Sequence, residues 1–424
     1  VAPARRQDLT YRANVGVGRH GWLRLTPAYG VRLVRERLAG LPAGSVVTDP
    51  FSGTGTTPLA AAELGHRGQS IDLNPFLIWL GRTKTRDYSP AQLTATQSAC
   101  AAVIAAARAA TDQAPWLPAL HRIEKWWSPQ ALRALGLLRA AIEARSAAAG
   151  AGGAPHHARA EAAEFEKAVE PAEIALLRLG LCRTLITCSN AAFNHQSMSF
   201  RDAQQWEFDA VLELFTTELE TLISSAAEPL PGSAIIRAGD SREVPSDLEP
   251  ADLVLTSPPY VNRMSYIREL RPYMYWLGYL DAPSDAGALD WEAIGGTWGV
   301  ATSRLTSWQA QGSTPVEAEL DQVCARIAAD GGRSGPVLAT YVRKYHHDMW
   351  AHFTGLERVL RPQGRVCYII GNSTFYDHEV PAQRWFAAML QALDYQDVQC
   401  CVIRKRNSNK ALFEYAVTAQ ARKS

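Results

Sequence analysis

Residues 45–72 set an apolar run, a glycine-rich turn, a helical run and a second apolar run in immediate succession. Ser45 to Asp49 is strand-like, extended backbone being favoured before a proline, and stops at Pro50, which has no N–H to give a ladder. Pro58-Leu59-Ala60-Ala61-Ala62-Glu63-Leu64 is a strong helical run closed by Gly65, and Gly68 to Asp72 reads as the next strand. Strand, turn, helix, and strand ending on an acid is how a doubly wound parallel sheet begins, so the chain is predicted to be α/β. In Asp49-Pro50-Phe51-Ser52-Gly53-Thr54-Gly55-Thr56-Thr57, Gly53 and Gly55 let the backbone turn tightly and approach a ligand. The helix that follows offers free N–H groups to a carboxylate or phosphate. Asp72, at the end of the next strand, stands where an acid accepts both hydroxyls of a ribose. The third glycine of the dinucleotide fingerprint is absent, and no Gly-Lys-Ser/Thr follows, which excludes a P-loop. On these residues alone, a nucleoside-type cofactor site and a plain strand-to-helix turn remain equal readings.

With 424 residues the chain is long for one domain. A helix is expected over Gly30–Leu38, ended by the turn at 41–44. An α/β portion, 1–88 and 232–424, is interrupted at 89–231 by an Ala-rich helical insert with helices over Ala91–Ala110, Pro129–Ala149, Ala172–Phe193 and Ala203–Ser225. The run Ala147 to Pro155 reads as a flexible connection. Strands resume at Ala234–Ala238, Asp252–Thr256 and Val366–Ile370, the last preceded by a helix over Tyr341–Leu360 and a turn at 361–364. Asp397–Ile403 and Leu412–Thr418 read as a closing antiparallel hairpin. The segment 281–336, with weak periodicity and Trp291, Trp298 and Trp308, is expected to be an irregular lid or recognition loop.

The second motif narrows the chemistry. Asp252-Leu253-Val254-Leu255-Thr256 runs as a buried strand into Ser257-Pro258-Pro259-Tyr260. Two successive prolines fix φ and remove two N–H donors, so the strand end presents carbonyl oxygens without competing donors. Beside them stand a hydroxyl and an aromatic plane. That set suits an exocyclic amine on a flat ring: Ser257 and the Pro258 carbonyl each accept one N–H, while Tyr260 stacks on the ring. Such an amine is a poor nucleophile because its lone pair is delocalised. Holding both hydrogens favours a tetrahedral nitrogen with the lone pair aimed outward.

Together these motifs resemble the amino-group DNA methyltransferases that use S-adenosylmethionine. Residues 49–57 resemble their cofactor motif and 256–260 their catalytic motif. His20-Gly21-Trp22 and Thr26-Pro27-Ala28-Tyr29-Gly30 are similar to the segment over the methionine end of the cofactor. Ile71-Asp72-Leu73-Asn74-Pro75 is similar to the ribose-binding strand end, and Gly239-Asp240 to the pair whose acid reaches the adenine amine. Arg358 to Gly364 and Gly371-Asn372-Ser373 are similar to elements around the fifth strand. The resemblance covers roughly 15–85 and 234–420. It implies a Rossmann-like methyltransferase sheet with a large helical insert and a closing antiparallel hairpin. It also implies S-adenosyl-L-methionine as cofactor, held by Pro27, Asp49, Phe51, Gly53, Gly55, Thr56, Thr57, Asp72 and Asp240. The catalytic set is Ser257, Pro258, Pro259 and Tyr260, acting on a base flipped from DNA.

Family members with Ser at the first catalytic position mostly methylate N4 of cytosine, and those with Asp or Asn mostly N6 of adenine. Ser257 therefore favours cytosine-N4, with adenine-N6, an RNA base amine and a non-catalytic cofactor- or DNA-binding subunit as alternatives. C5-cytosine chemistry needs a Cys nucleophile, usually in Pro-Cys, and no Pro-Cys occurs. The cofactor motif precedes the catalytic motif, unlike the better-known cytosine-N4 order, which leaves both the insert and the 281–336 segment as candidate target readers. No lysine has an acid two residues before it, so a restriction endonuclease partner would be a separate polypeptide. The net charge of +1 argues against binding nucleic acid by bulk charge, and Arg404, Lys405, Arg406 and Lys410 form the one basic stretch. That stretch reads equally as the solvated edge of a hairpin. No metal is expected, since of His346, His347, Asp348 and His352 only the last two share the i,i+4 spacing. Seven cysteines without Cys-x-x-Cys, no secretory signal and no membrane-length apolar run suggest a reduced, cytoplasmic setting.

Overall fold

The computed structural model describes residues 6–25, 28–150, 170–194, 197–262, 265–296, 300–406 and 411–422. Pro27, Lys410, Trp298 and most of the low-complexity run after Ala147 lie outside the described residues. Seven strands make the central sheet: β1 (Val46–Asp49), β2 (Arg67–Asp72), β3 (Ser233–Ala238), β4 (Ala251–Thr256), β5 (Leu360–Gly371), β6 (Gln396–Lys405) and β7 (Phe413–Gln420). Their order is β3-β2-β1-β4-β5-β7-β6. The first five are parallel, and β7 is antiparallel to both of its neighbours. This is the expected Rossmann-like sheet, with the helical block between β2 and β3 and the hairpin closing one edge.

Alternation along the strands feeds two covered faces, as a parallel sheet requires. Val47, Leu253, Leu255, Cys367 and Ile369 meet α1 (Val31–Leu38) and Ala60 and Ala61 of α2 (Thr56–Glu63). On the opposite face Val46, Ile71, Val254, Val366, Tyr368 and Ile370 meet the helices Glu317–Asp330, Gly335–Gly355 and Ala382–Ala392.

After β2, Asn74 caps α3 (Pro75–Thr85) by accepting the Phe76 N–H at 3.0 Å, with Pro75 at the first helical position. Four long helices follow, Pro90–Ala109, Pro129–Ala148, Ala172–Thr187 and Phe208–Ala226. Ser89 and Gln92 close the first in a reciprocal capping box. Their shared core, with Trp127, Leu135, Leu176 and Phe215 all fully buried, runs without a break into Phe76 and Leu80 of α3. It continues into Leu270, Tyr273 and Met274 of the helix Tyr266–Trp276. Phe76 and Tyr273 stack at 5.5 Å with planes 3° apart.

Several boundaries differ from the sequence reading. The helix expected to reach Phe193 stops at Thr187, because Asn190 turns its side chain to the Lys125 carbonyl and the Gln204 N–H, and a short hairpin, Ala191–Asn194 with Ser197–Phe200, follows. The next helix starts at Phe208 rather than Ala203, since the extended chain at 204–206 is held by Asn190 and Ser128. The Tyr341–Leu360 helix runs instead over Gly335–Gly355, and Leu360 already belongs to β5. The segment 281–336 is not irregular: it contains the helices Pro283–Glu292, Val300–Leu305 and Glu317–Asp330. Among the described residues no helix is long and apolar enough to cross a membrane.

Candidate active site

In an open parallel sheet, ligands sit beyond the carboxyl ends of the strands where the strand order reverses. Here that point lies between β1 and β4, which end on Asp49 and Thr256. The Thr256 hydroxyl donates to Asp49 Oδ1 at 2.6 Å, so the glycine turn after β1 and the Ser257-Pro258-Pro259-Tyr260 corner after β4 share one buried hydrogen bond. A cleft open to solvent lies over this junction. Its lining includes Phe51, Gly53, Thr56, Asp72, Ser257 and Pro259, brought together from two distant stretches of the sequence.

The turn is shaped by backbone chemistry. Gly55 caps α2 at φ +72°, a left-handed conformation that costs an L side chain about 1 kcal/mol or more. A Cβ there would also stand 3.3 Å from the Gly81 Cα of α3. Lys84, buried on α3, donates its Nζ to the Thr54 carbonyl at 2.7 Å and so ties the turn from below. Burial brings this amine down to about 7.

Three acids stand at strand ends. Asp49 is buried; its Oδ1 accepts the Phe51 N–H at 3.0 Å as well as Thr256, while its Oδ2 has no hydrogen-bond partner. Asp72, half-buried, accepts the Gly53 N–H on one oxygen and the Asn74 N–H on the other, each at 2.9 Å. Burial raises both carboxyls to about 6. Asp240 follows β3 between Gly239 and Ser241, which line the cleft. Its carboxylate is held by Arg242 at 2.6 Å, and Arg242 also reaches Asp348 at 3.4 Å.

The corner itself is braced on both sides. Tyr345 donates its phenol to the Pro259 carbonyl at 2.7 Å, and the Tyr260 N–H donates to the Tyr266 oxygen at 3.2 Å. Ser257 and Pro259 line the cleft, Pro258 is buried, and Tyr260 sits just behind them with its hydroxyl donating to Glu414 of β7 at 2.9 Å. Burial and the Glu414 carboxylate raise that phenol well above the usual tyrosine range. Leu25, Ala28 and Tyr29 roof the cleft, and the Tyr29 hydroxyl meets that of Thr57. Arg404 and Arg406 turn inward: Arg404 pairs with Glu414, and Arg406 lies over Tyr260.

Tyr266, Tyr345, Glu414 and Lys84 were not singled out by sequence, and neither was the role of His352. His352 is buried, with Nδ1 at 2.7 Å from the Ser241 carbonyl and Nε2 at 2.6 Å from the Tyr368 hydroxyl, and its ring is edge-on to Phe51. Burial lowers it to about 4, so it is neutral and joins the β3 and β1 walls of the cleft. His346 instead faces Trp385. Among the described residues no group of three or more His, Cys, Asp or Glu is placed to hold a metal ion, and all seven cysteines are free thiols.

No family model matches the chain. Over 72 residues, 16% of its length, it is 36% identical to the type II methyltransferase M.BsoBI of Geobacillus stearothermophilus. The chain spans about 14% of that relative. Among solved structures it is similar to the rRNA methyltransferase aviRa from Streptomyces viridochromogenes, at TM-score 0.27 and 12% identity over 93% of this chain and 86% of that one. A likeness of that size carries no weight for fold or chemistry, and the fold stands on the strand order. The cleft suits a nucleoside such as that of S-adenosyl-L-methionine: Asp72, which lines it, has lone pairs left for vicinal hydroxyls.

Proposed function

We propose that this chain methylates an exocyclic amino nitrogen of a nucleobase, with cytosine N4 in DNA as the favoured target and S-adenosyl-L-methionine as cofactor. The observation that carries the reading is the Thr256–Asp49 hydrogen bond, which fastens the acceptor corner to the cofactor turn at the sheet's reversal point. The 72-residue likeness to a type II methyltransferase supports the transferase class.

Asp72 holds the ribose hydroxyls, the turn at Gly53 to Gly55 faces the amino-acid end, and Asp240 and Ser241 bound the adenine end. When bound, the cofactor supplies an electrophilic methyl group whose bond to sulfur breaks as the bond to nitrogen forms. Ser257 and the Pro258 carbonyl accept the two amine hydrogens and direct the nitrogen lone pair into the cleft. The surplus proton then leaves to water. The base must leave its helix, because its paired amine is otherwise out of reach of a corner recessed at a strand end.

The purified chain is tested with tritiated S-adenosylmethionine on PCR-amplified DNA and on transcribed RNA, followed by nucleoside mass spectrometry. N4-methylcytosine in DNA is the expected product. N6-methyladenine, or a methylated base in RNA alone, would reassign the substrate. No methylated nucleoside in either polymer, from protein that binds the cofactor, would refute the transferase reading.

A further inference from the structure

Two arginines of the closing hairpin, Arg404 and Arg406, turn inward toward the acceptor corner. Glu414, only 3% exposed, accepts the Tyr260 phenol at 2.9 Å and is gripped by Arg404 through two hydrogen bonds, at 2.7 and 2.9 Å. The Arg406 guanidinium lies 5.2 Å from the centroid of the Tyr260 ring. Two backbone acceptors anchor it there: Nε donates to the Phe413 carbonyl at 3.1 Å, and Nη2 donates to the Asn372 carbonyl. Asn372 is fixed in turn, since its side chain accepts the Phe413 N–H at 2.8 Å and donates to the Ala411 carbonyl at 3.0 Å. Gly371 leaves the space that the guanidinium fills, because a Cβ there would stand 2.5 Å from Arg406 Cζ. The motif Gly371-Asn372 thus has a physical role, which is to seat an arginine against the tyrosine of the acceptor corner.

We propose that Arg406, Glu414 and Arg404 form a cage that covers one face of Tyr260 and fixes the plane in which its ring meets the incoming base. All three are positioning residues, acting through Tyr260 and not on the base. A cation held against one face of an aromatic ring is attracted by the ring quadrupole, and a bidentate arginine–carboxylate pair fixes the phenol's acceptor in direction as well as distance. A planar substrate that must align its nitrogen within a fraction of an ångström gains from a stacking partner that cannot tilt. This inference rests on the nucleobase reading of the same site.

The test uses the full chain labelled with 3-fluorotyrosine, the Tyr260 signal being assigned by its loss in Tyr260→Phe. Arg406→Met and Gly371→Ala should each shift or broaden that ¹⁹F signal, the second without changing charge, and Arg406→Lys should restore it in part. With PCR-amplified DNA as substrate, Arg406→Met and Glu414→Gln should raise KM or lower the single-turnover rate by about 10- to 100-fold. The dissociation constant for S-adenosylmethionine should stay within about twofold, a split that a general loss of folding would not produce. An unmoved Tyr260 signal in both Arg406→Met and Gly371→Ala overturns the cage whatever the activity. A moved signal with unchanged KM and rate overturns its positioning role. A parent chain inactive on DNA and RNA refutes the methyltransferase reading, and the fluorine signal then still decides whether the cage exists.

Discussion

Replacing Asp72 with asparagine should separate cofactor binding from stability. The carboxylate accepts one backbone N–H on each oxygen, from Gly53 and from Asn74. Asparagine keeps a single acceptor, so one of these N–H groups meets an amide NH₂ and loses its partner, at a cost of about 1–3 kcal/mol. Against this, burial has raised the carboxyl from 3.8 to about 6. That displacement corresponds to at most about 3 kcal/mol of destabilisation in the ionised protein, and to roughly 1–2 kcal/mol once solvent reaching the cleft is allowed for. The two effects offset, and unfolding free energies at pH 7.5 should agree within about 1 kcal/mol. Because the folded carboxyl holds its proton more tightly than the unfolded one, wild type gains stability as pH falls from 7 through 6 toward 4, and Asp72→Asn lacks that gain. Cofactor affinity behaves differently: losing charge-assisted acceptors for two ribose hydroxyls should weaken binding by about 3 kcal/mol, or roughly 100-fold. Calorimetric titration with S-adenosylmethionine and urea denaturation at pH 7.5 and 5.5 read both quantities. Unchanged affinity would remove Asp72 from the cofactor site, and a stability loss above about 4 kcal/mol would make its role structural.

Other expectations follow from the same geometry. Ser257→Ala should slow single-turnover methyl transfer by about 10- to 1000-fold, as expected for the loss of one acceptor, and an unchanged rate would exclude the hydroxyl from the chemistry. Tyr260→Ala should impair DNA use while leaving cofactor affinity intact, because the Glu414–Arg404 pair survives without the phenol; calorimetric loss of cofactor binding would contradict this. In the wild-type chain, cofactor affinity should fall as pH drops through about 6, where Asp49 and Asp72 take up protons, and a flat titration from pH 7.5 to 5 would show that neither carboxylate serves the ligand in its ionised form.

The two strand-end motifs were legible because their chemistry is local. Glycines at a turn, an acid at a strand end and a double proline each state a backbone condition within a few residues. Their adjacency across 207 positions, through Thr256 and Asp49, emerges only when β1 and β4 pair. α3 escaped notice because Phe76, Leu77, Ile78, Trp79 and Leu80 are all buried, so the helix has no polar face to betray its period; the Asn74-Pro75 start was the available signal. In the 281–336 segment, Leu320, Val323, Cys324 and Ile327 keep helical spacing, but the surrounding Gly, Ser and Trp obscured it. Glu414 was beyond reach: it lies 154 positions from Tyr260 within an ordinary strand pattern, and only the register Glu414↔Gly371 brings it to the corner.

The stacked rings of Phe76 and Tyr273 have a mechanical consequence. Phe76 follows Asp72 by four residues, and Tyr273 lies in the helix that follows the proline corner, so the two walls of the cleft are riveted to each other from behind. The same rivet is seated in the hydrophobic interior of the Ala-rich helices. Those helices therefore serve as the chassis that sets the gap between the Asp72 strand end and the proline corner. Exchanging them for another set would alter that gap unless α3 and Tyr266–Trp276 travelled with them.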